Sequence, residues 1–329
     1  MRARSRARDL GLLGAAGVVV LASLLVRRAV LAPSTVEVPR ASWSAPGELP
    51  RGAMPVPQAP ASVGAPVLGC EVPDRGLGSA VSLGRRGGAE VYATGDALAP
   101  DGGYTLVLHL HGGAAARRLV LPEARALVLA TIDRGATSSA YADVLGRRAD
   151  LDALLATIDA AMAERAGGRA RADRLVLSAW SAGYAGVSAA LRHSALDPAL
   201  RGVVLVDGLH ASFDAKRAPD AGQLEPFLRA GRRALEQPRF GFLLTHSSIS
   251  TEGYASTTQS ADALLELLRV SSDRVEAPPA LGLRPIRVAR ERGFELRGFE
   301  GSGPDDHCAQ LALLPELIEL ALGRRSADR

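Results

Sequence analysis

The sequence predicts an α/β fold in which a mostly parallel sheet is covered by helices on both faces. Short apolar runs of strand length alternate with longer segments of helical pattern from about residue 79 to residue 322. Several runs, including 175–178 and 202–206, are apolar at almost every position, which is typical of strands buried on both sides. Strands that alternate with helices in this way form parallel sheets with helices packed against each face.

The expected elements follow in a simple order. Strands are predicted at residues 79–83, 89–94, 104–110, 126–132, 175–178, 202–206, 240–245, 287–289 and 294–299. Helices are predicted at about 139–166, from residue 182 to about 193, at 224–235 and 261–270, and in a last helix that ends near residue 322. The chain shows no internal repeat, so residues 69–329 are expected to form one domain.

The first 32 residues have the pattern of an export signal. Four arginines precede an uncharged apolar run at residues 10–26, and Arg27 and Arg28 close it. The run reaches the lower limit for crossing a bilayer, and no clear cleavage site follows. An uncleaved signal anchor is therefore favoured, and a cleaved signal peptide is the alternative.

The distribution of arginines predicts the orientation of this segment. Because more arginines precede the run than follow it, the N-terminus should stay in the cytoplasm. The rest of the chain is then exported. It faces the periplasm or another extracytoplasmic space from the inner membrane, or it is secreted if the signal is cleaved. Contact with the membrane is expected through this segment only.

Residues 33–68 are predicted to be an extended linker. Eight prolines lie in this stretch, with alanine, serine and valine between them. Proline at this density removes hydrogen-bond donors and disfavours both helix and sheet. The linker therefore separates the N-terminal segment from the domain that begins near residue 69.

The positive charge of the chain is confined to its N-terminal region. Residues 1–68 carry eight arginines and three acidic residues, whereas residues 69–329 carry 31 basic and 32 acidic residues. A domain without net positive charge or a basic stripe offers no general attraction for phosphates. No nucleic-acid partner is expected.

The stretch with the clearest chemical meaning is residues 174–186. A buried strand ends there in Ala179-Trp180-Ser181-Ala182-Gly183, and a helical pattern follows. A serine between strand and helix, with small residues two positions before and after it, predicts a nucleophile elbow. Ala179 stands where glycine is usual. The alternative is an ordinary junction in which Ser181 is a helix N-cap.

A serine nucleophile needs a base and a carboxylate that orients the base. His307 lies after the last expected strand, in an expected loop rich in glycine and proline, and is the favoured base; His246 is its main rival. Asp207 ends the strand at 203–206, and the carboxyl ends of strands are where open α/β sheets place their sites. Asp305 and Asp306 lie too close to His307 in sequence to orient its ring and are interpreted as loop or capping residues.

The oxyanion of such a reaction needs N–H donors. His111-Gly112-Gly113 follows a buried strand, and the amide after the nucleophile belongs to Ala182. Gly112, Gly113 and Ala182 are the predicted oxyanion-hole residues, and a simple turn is the alternative for the two glycines.

These four motifs, in this order, resemble the α/β-hydrolases over about residues 75–323. The resemblance implies the sheet of that fold and a triad of Ser181, Asp207 and His307, with no metal or organic cofactor. It implies a reaction class, the cleavage of an ester or amide bond through an acyl-enzyme, but not a substrate. The expected substrate is a small-molecule or cell-envelope ester or amide. The leading expectation is an exported serine esterase. The alternatives are a serine peptidase or amidase on the same fold, and an inactive hydrolase-like domain that binds a cell-envelope ligand.

Further residues are candidates for a substrate pocket or a covalent link. Trp180, His210, His246 and Tyr254 are the candidates for the pocket, although Trp180 also fits a packing role. The segment 247–260 is expected to line an acyl pocket or to act as a lid, or else to be a polar surface loop. Cys70 and Cys308 pair if the domain lies in an oxidising compartment, and are otherwise two buried thiols.

Overall fold

The computed structural model describes residues 70–194 and 197–324, so the expected export segment and linker lie outside the described residues. Twelve strands are present in this part of the chain. They are β1 (Val81–Arg86), β2 (Ala89–Ala93), β3 (Gly103–Leu110), β4 (Val128–Ile132), β5 (Arg171–Trp180), β6 (Leu200–Val206), β7 (Ala211–Ser212), β8 (Gly241–His246), β9 (Tyr254–Ala255), β10 (Asp273–Arg274), β11 (Pro285–Glu291) and β12 (Phe294–Phe299).

Ten of these strands form one sheet in the order β1-β2-β4-β3-β5-β6-β8-β12-β11-β10. The six central strands, from β4 to β12, pair in parallel, and the strands at each edge pair antiparallel. The α/β class and the large, mostly parallel sheet are therefore confirmed. β7 and β9 form a separate two-stranded ribbon.

Helices cover both faces of the sheet within the described residues. They are α1 (Gly113–Val120), α2 (Ser138–Val144), α3 (Arg148–Ala166), α4 (Tyr184–Ser194), α5 (Ala221–Glu236), α6 (Thr257–Leu268), α7 (Pro304–Ala309) and α8 (Leu314–Ala321). Short 3₁₀ turns lie at Ser181–Gly183 and Gln310–Leu313.

Two hydrophobic cores lie on opposite sides of the sheet. In β3, Leu106 and Leu108 pack into one core with α3, α4 and α5, whereas Val107 between them packs into the other with α1 and α8. This alternation follows from the two-residue period of a strand. Because both faces are buried, the central strands are apolar at nearly every position, which is what made them recognisable in the sequence.

Parts of the structure differ from the expected elements. A single helix is expected at 139–166, but the structure has two helices, α2 and α3. The helical path is interrupted at Arg147, whose backbone is extended and whose N–H donates a hydrogen bond to Asp150. The loop expected around His307 is in fact the short helix α7. Asp306 accepts hydrogen bonds from the N–H groups of Ser302 and Gly303, which is the capping role expected for it.

A disulfide joins Cys70 to Cys308 across a sequence separation of 238 residues. It fastens the start of the described chain to α7, directly beside His307. The pairing considered for these two cysteines is therefore present.

No helix in residues 70–194 and 197–324 is long and apolar enough to cross a membrane.

Candidate active site

Ser181 lies on a sharp turn between β5 and α4. Its φ of 48° is in the left-handed region, which non-glycine residues rarely occupy and which indicates local strain. A side chain at Gly183 would collide with the carbonyl oxygen of Leu110, the last residue of β3. The requirement for a small residue two positions after the serine therefore comes from the neighbouring strand and not only from the turn itself.

The loop after β6 approaches the backbone of this turn from the other side. A Cβ at Gly208 would lie 2.7 Å from the carbonyl oxygen of Ser181. Asp207, just before this glycine, also has a positive φ of 40°. A residue with positive φ thus directly follows each of two neighbouring strands, and the two loops approach closely at Gly208. Sequence reasoning did not identify Gly208 as the residue that permits this approach.

Asp207 and His307 are directly hydrogen-bonded. His307 Nδ1 lies 2.7 Å from Asp207 Oδ2, although the two residues are 100 positions apart in the chain. The carboxylate is almost completely buried, and the imidazole is about one-quarter exposed. Because a carboxylate oxygen only accepts, Nδ1 carries the proton and the lone pair of Nε2 is left for another partner.

The carboxylate of Asp207 is held by further donors. Its Oδ1 accepts the N–H of Ser247 at 2.8 Å and the hydroxyl of Thr257 at 2.8 Å. Burial by itself would raise the pKa of Asp207, but the hydrogen bond and charge of His307, with the bonds from Ser247 and Thr257, outweigh it and lower the pKa. Asp207 is therefore ionised at neutral pH.

Ser181, Asp207 and His307 line one cavity of about 300 Å³. Its other lining residues are His210, Ser247, Ile249, Thr251, Tyr254, Thr257, Ser302, Gly303 and Pro304. Residues of the segment 247–260 thus form part of the cavity wall, a position compatible with the pocket-lining role considered for this segment. Among the described residues, no hydrogen bond joins Ser181 Oγ to His307, and such bonds are often loose in the absence of substrate.

The candidate oxyanion donors require a correction. The N–H of Gly113 points at Asp133, whose two carboxylate oxygens lie 3.2 and 3.1 Å from the nitrogen. This amide is therefore engaged, and the expectation that it faces an oxyanion does not fit the structure. Gly112 and Ala182 stand at the starts of α1 and of the turn after Ser181, where N–H groups have no partner within the helix. Their two amides remain as candidates.

Trp180 packs against His307 and does not line the cavity. Its ring stacks on His111 at a centroid distance of 4.9 Å and on His307 at 4.8 Å. Its Nε1–H donates to the carbonyl oxygen of His307 at 3.3 Å. The packing role considered for Trp180 fits this position, and the ring supports the face of the imidazole.

His246, the rival base, lies away from the cavity. It is completely buried at the end of β8, and Arg287 Nε donates to its Nε2 at 2.7 Å. Its Nδ1 lies 3.1 Å from the carbonyl oxygen of Ser247 and 3.0 Å from Thr258 Oγ1. Burial first, and then the charge of Arg287, lower the pKa of His246 to about 4. Neither ring nitrogen can reach a substrate, so the structure supports neither the base nor the pocket role considered for it.

A second cavity, of about 480 Å³, also has Ser181 in its lining. His210 and Tyr254, two of the candidates for a substrate pocket, line both cavities. The remaining lining of the second cavity is Ala136, Thr137, Ser138, Ser139, Ala182, Tyr184, Ala211 and Ser212.

Sequence reasoning missed several residues of the site. Asp133 directly follows β4, so its position at a strand end was the available signal. Thr257, by contrast, contacts Asp207 only because α6 packs beside the loop after β8, which no local pattern reveals.

Within the described ranges, no group of three His, Cys, Asp or Glu side chains is arranged to hold a metal ion.

The comparisons with known proteins add no assignment. The chain matches no protein-family model, and the search of curated proteins finds no match.

Proposed function

We propose that this protein is a serine hydrolase that cleaves an ester bond, with Ser181 as nucleophile, His307 as general base and Asp207 as the group that orients the base. The observation that carries the proposal is the 2.7 Å hydrogen bond between Asp207 and His307. It supports the tautomer in which Nε2 accepts a proton, and the same cavity contains the strained serine.

In the proposed reaction, Ser181 Oγ attacks the carbonyl carbon of the substrate while its proton passes to His307 Nε2. Asp207 stabilises the imidazolium, and the amides of Gly112 and Ala182 donate to the oxyanion. Collapse of the tetrahedral intermediate breaks the bond to the leaving group, which takes the proton from Nε2. Water then attacks the acyl-enzyme and gives its proton to the same nitrogen. Collapse of this second intermediate breaks the bond to Ser181 Oγ, which takes the proton back from Nε2, and the acid is released.

Membership of the α/β-hydrolases is part of this proposal. It is supported by the order serine, acid, histidine along the chain, with the serine on the turn after β5 and the histidine after β12. Two features depart from the usual pattern. Ala179 replaces a glycine, and the acid follows β6, the strand next to β5 in the sheet.

Export is also proposed. The basic and apolar residues 1–32 support it, and the Cys70–Cys308 disulfide adds a second argument, because disulfides persist in oxidising compartments. Fractionation of cells that produce the full-length chain tests this point. The protein is expected outside the cytoplasm, in the membrane fraction if the signal is uncleaved.

The direct test of the reaction is labelling of the full-length protein with a fluorophosphonate, followed by identification of the modified residue by mass spectrometry. Covalent modification of Ser181, and none in Ser181→Ala, is the expected result. Ser271→Ala, which removes an exposed serine outside the cavities, is the matched control. A folded protein that takes no label at Ser181 would overturn the proposal in favour of a ligand-binding domain. Matched ester and amide substrates then separate an esterase from an amidase.

A further inference from the structure

His210 lines both of the cavities that contain Ser181 in their walls. It lies just before β7, and its ring contacts Tyr184 and Tyr254 edge-on at centroid distances of 5.6 and 5.3 Å. Its Nδ1 lies 3.2 Å from the carbonyl oxygen of Ala255 in β9. The ring is therefore fixed by two aromatic neighbours and one backbone bond, while the side chain lines both cavities.

The bond to Ala255 determines which proton the ring carries. A carbonyl oxygen can only accept, so Nδ1 must be protonated and Nε2 must hold a lone pair. Burial lowers the pKa of His210 and favours this neutral form. Nε2 has no hydrogen-bond partner among the described residues. The site therefore presents a fixed acceptor next to the candidate nucleophile.

The lining of the second cavity includes several serine and threonine residues in addition to His210. Thr137, Ser138, Ser139 and Ser212 are among its lining residues, and none of these side chains is charged. Serine and threonine hydroxyls both donate and accept hydrogen bonds, so such a wall suits a neutral, hydroxylated group better than a hydrocarbon chain or an ion.

We infer that His210 determines specificity by accepting a hydrogen bond from a hydroxyl group of the substrate, whose hydroxylated part occupies the second cavity. The substrate class is thus an ester with at least one hydroxyl group close to the scissile bond, in its acyl or its alcohol portion. This inference rests on the proposed hydrolase function and adds the substrate class. An ester without the hydroxyl leaves a partly buried acceptor unpaired, which is a strong basis for discrimination.

The test compares two matched pairs of esters. One pair is 4-nitrophenyl butanoate and 4-nitrophenyl 3-hydroxybutanoate, and the other is propyl butanoate and 2,3-dihydroxypropyl butanoate. We expect the native protein to favour the hydroxylated ester of at least one pair by about tenfold or more in kcat/KM, a factor within the range of a well-placed hydrogen bond.

Two variants separate recognition from a structural role. In His210→Asn the side-chain amide N–H can still donate to Ala255, but the acceptor at the position of Nε2 is lost, so the preference is expected to fall to near unity. In His210→Gln a carbonyl oxygen reaches that position and part of the preference is expected to return. His193→Asn changes a half-buried histidine that lines neither cavity, and it is expected to keep the native preference.

The inference is overturned if the native protein hydrolyses the two esters of each pair equally well, or if His210→Asn keeps the preference. Binding of the same esters to Ser181→Ala, measured by calorimetry, does not depend on catalysis. Tighter binding of a hydroxylated ester, lost in Ser181→Ala with His210→Asn, supports the inference even if no ester is hydrolysed. Absence of hydrolysis with this binding pattern would refute only the proposed reaction. Equal binding within both pairs refutes the inference.

Discussion

His307 and His246 both lie at the carboxyl edge of the sheet and carry the same tautomer, yet their surroundings differ in every other respect. Asp207 accepts from Nδ1 of His307, and Nε2 of His307 is left without a partner among the described residues. In His246 the same Nε2 accepts a hydrogen bond from Arg287. One ring is one-quarter exposed at a cavity, and the other is completely buried.

The difference teaches that a histidine at this edge of the sheet becomes a candidate base through the sign of the charge beside it and through access to its second nitrogen. A carboxylate stabilises the protonated imidazole that a general base must form, whereas a guanidinium opposes it. His246 is therefore a structural histidine that joins β8, β11 and α6, and His307 is the candidate base.

The largest effect is expected when the carboxylate beside His307 is altered. Asp207→Asn should lower kcat for ester hydrolysis about 10³- to 10⁴-fold, because an amide cannot fix the required tautomer or stabilise the imidazolium. The matched control is Asp262→Asn, which removes the acid that pairs with Arg287 in the surroundings of His246. It should change kcat less than about threefold, because Asp262 pairs with Arg287 at an exposed site outside the cavity. Comparable losses in the two variants would contradict the distinction drawn between the two histidines.

The opposite ranking is expected for stability. His246→Ala leaves Arg287 Nε without its acceptor and opens a buried space, which should cost about 2–4 kcal/mol in the free energy of unfolding. His307→Ala should cost only about 1 kcal/mol because the ring is partly exposed. Urea unfolding of both variants measures these losses, and a greater loss for His307→Ala would break the assignment of structural and catalytic roles.

The pH dependence of stability should also separate the two sites. The pKa of His246 is about 4 in the folded protein and 6.5 in an ordinary environment, so between these values only the unfolded chain binds the proton. The free energy of unfolding should fall as the pH drops from 6.5 to 4, with a contribution of up to roughly 3 kcal/mol from this group.

His246→Gln should flatten this slope in part, since buried His109, whose pKa is also lowered to about 4, still contributes. The lowered pKa of Asp207 acts in a different range. Its stabilisation is present above the ordinary carboxyl pKa of 3.8 and is lost only as the pH falls through the lower folded value. Urea unfolding at pH 7, 6, 5 and 4.5 tests the first window, and an unchanged slope in His246→Gln would refute the assignment.

The smallest effect is expected from the ring that supports His307. Trp180→Phe keeps an aromatic face against the imidazole but removes the donor to the carbonyl oxygen of His307. The loss of one neutral hydrogen bond of about 1 kcal/mol should lower kcat about fivefold or less. A loss as large as that of Asp207→Asn would mean that Trp180 takes part in the reaction directly.

The sequence was sufficient for those parts of the fold that depend on local pattern. Apolar runs marked the central strands, and the strand ends then indicated Ser181 and Asp207. The ribbon of β7 and β9 has two residues in each strand, which is too short for any periodic signal. The break between α2 and α3 depends on one capping contact within an otherwise continuous helical pattern.

The site was less predictable because its decisive contacts are distant in sequence. Arg287, which excludes His246 as a base, lies 41 residues beyond it on β11. Asp133 lies 20 residues after Gly113 and engages its amide, a pairing that depends on how the loops after β3 and β4 meet. Sequence pattern gives residue types at strand ends, and only the packing of those ends determines which side chains contact each other.

The most direct measurement of the central claim is the rate at which the fluorophosphonate labels Ser181 in the native protein, in His307→Ala and in His246→Ala, at a temperature where all three are folded. A base that activates Ser181 should make labelling of His307→Ala slower by about 10³-fold or more, with His246→Ala within about threefold of native. Equal labelling rates in the three proteins, or a loss confined to His246→Ala, would contradict the account.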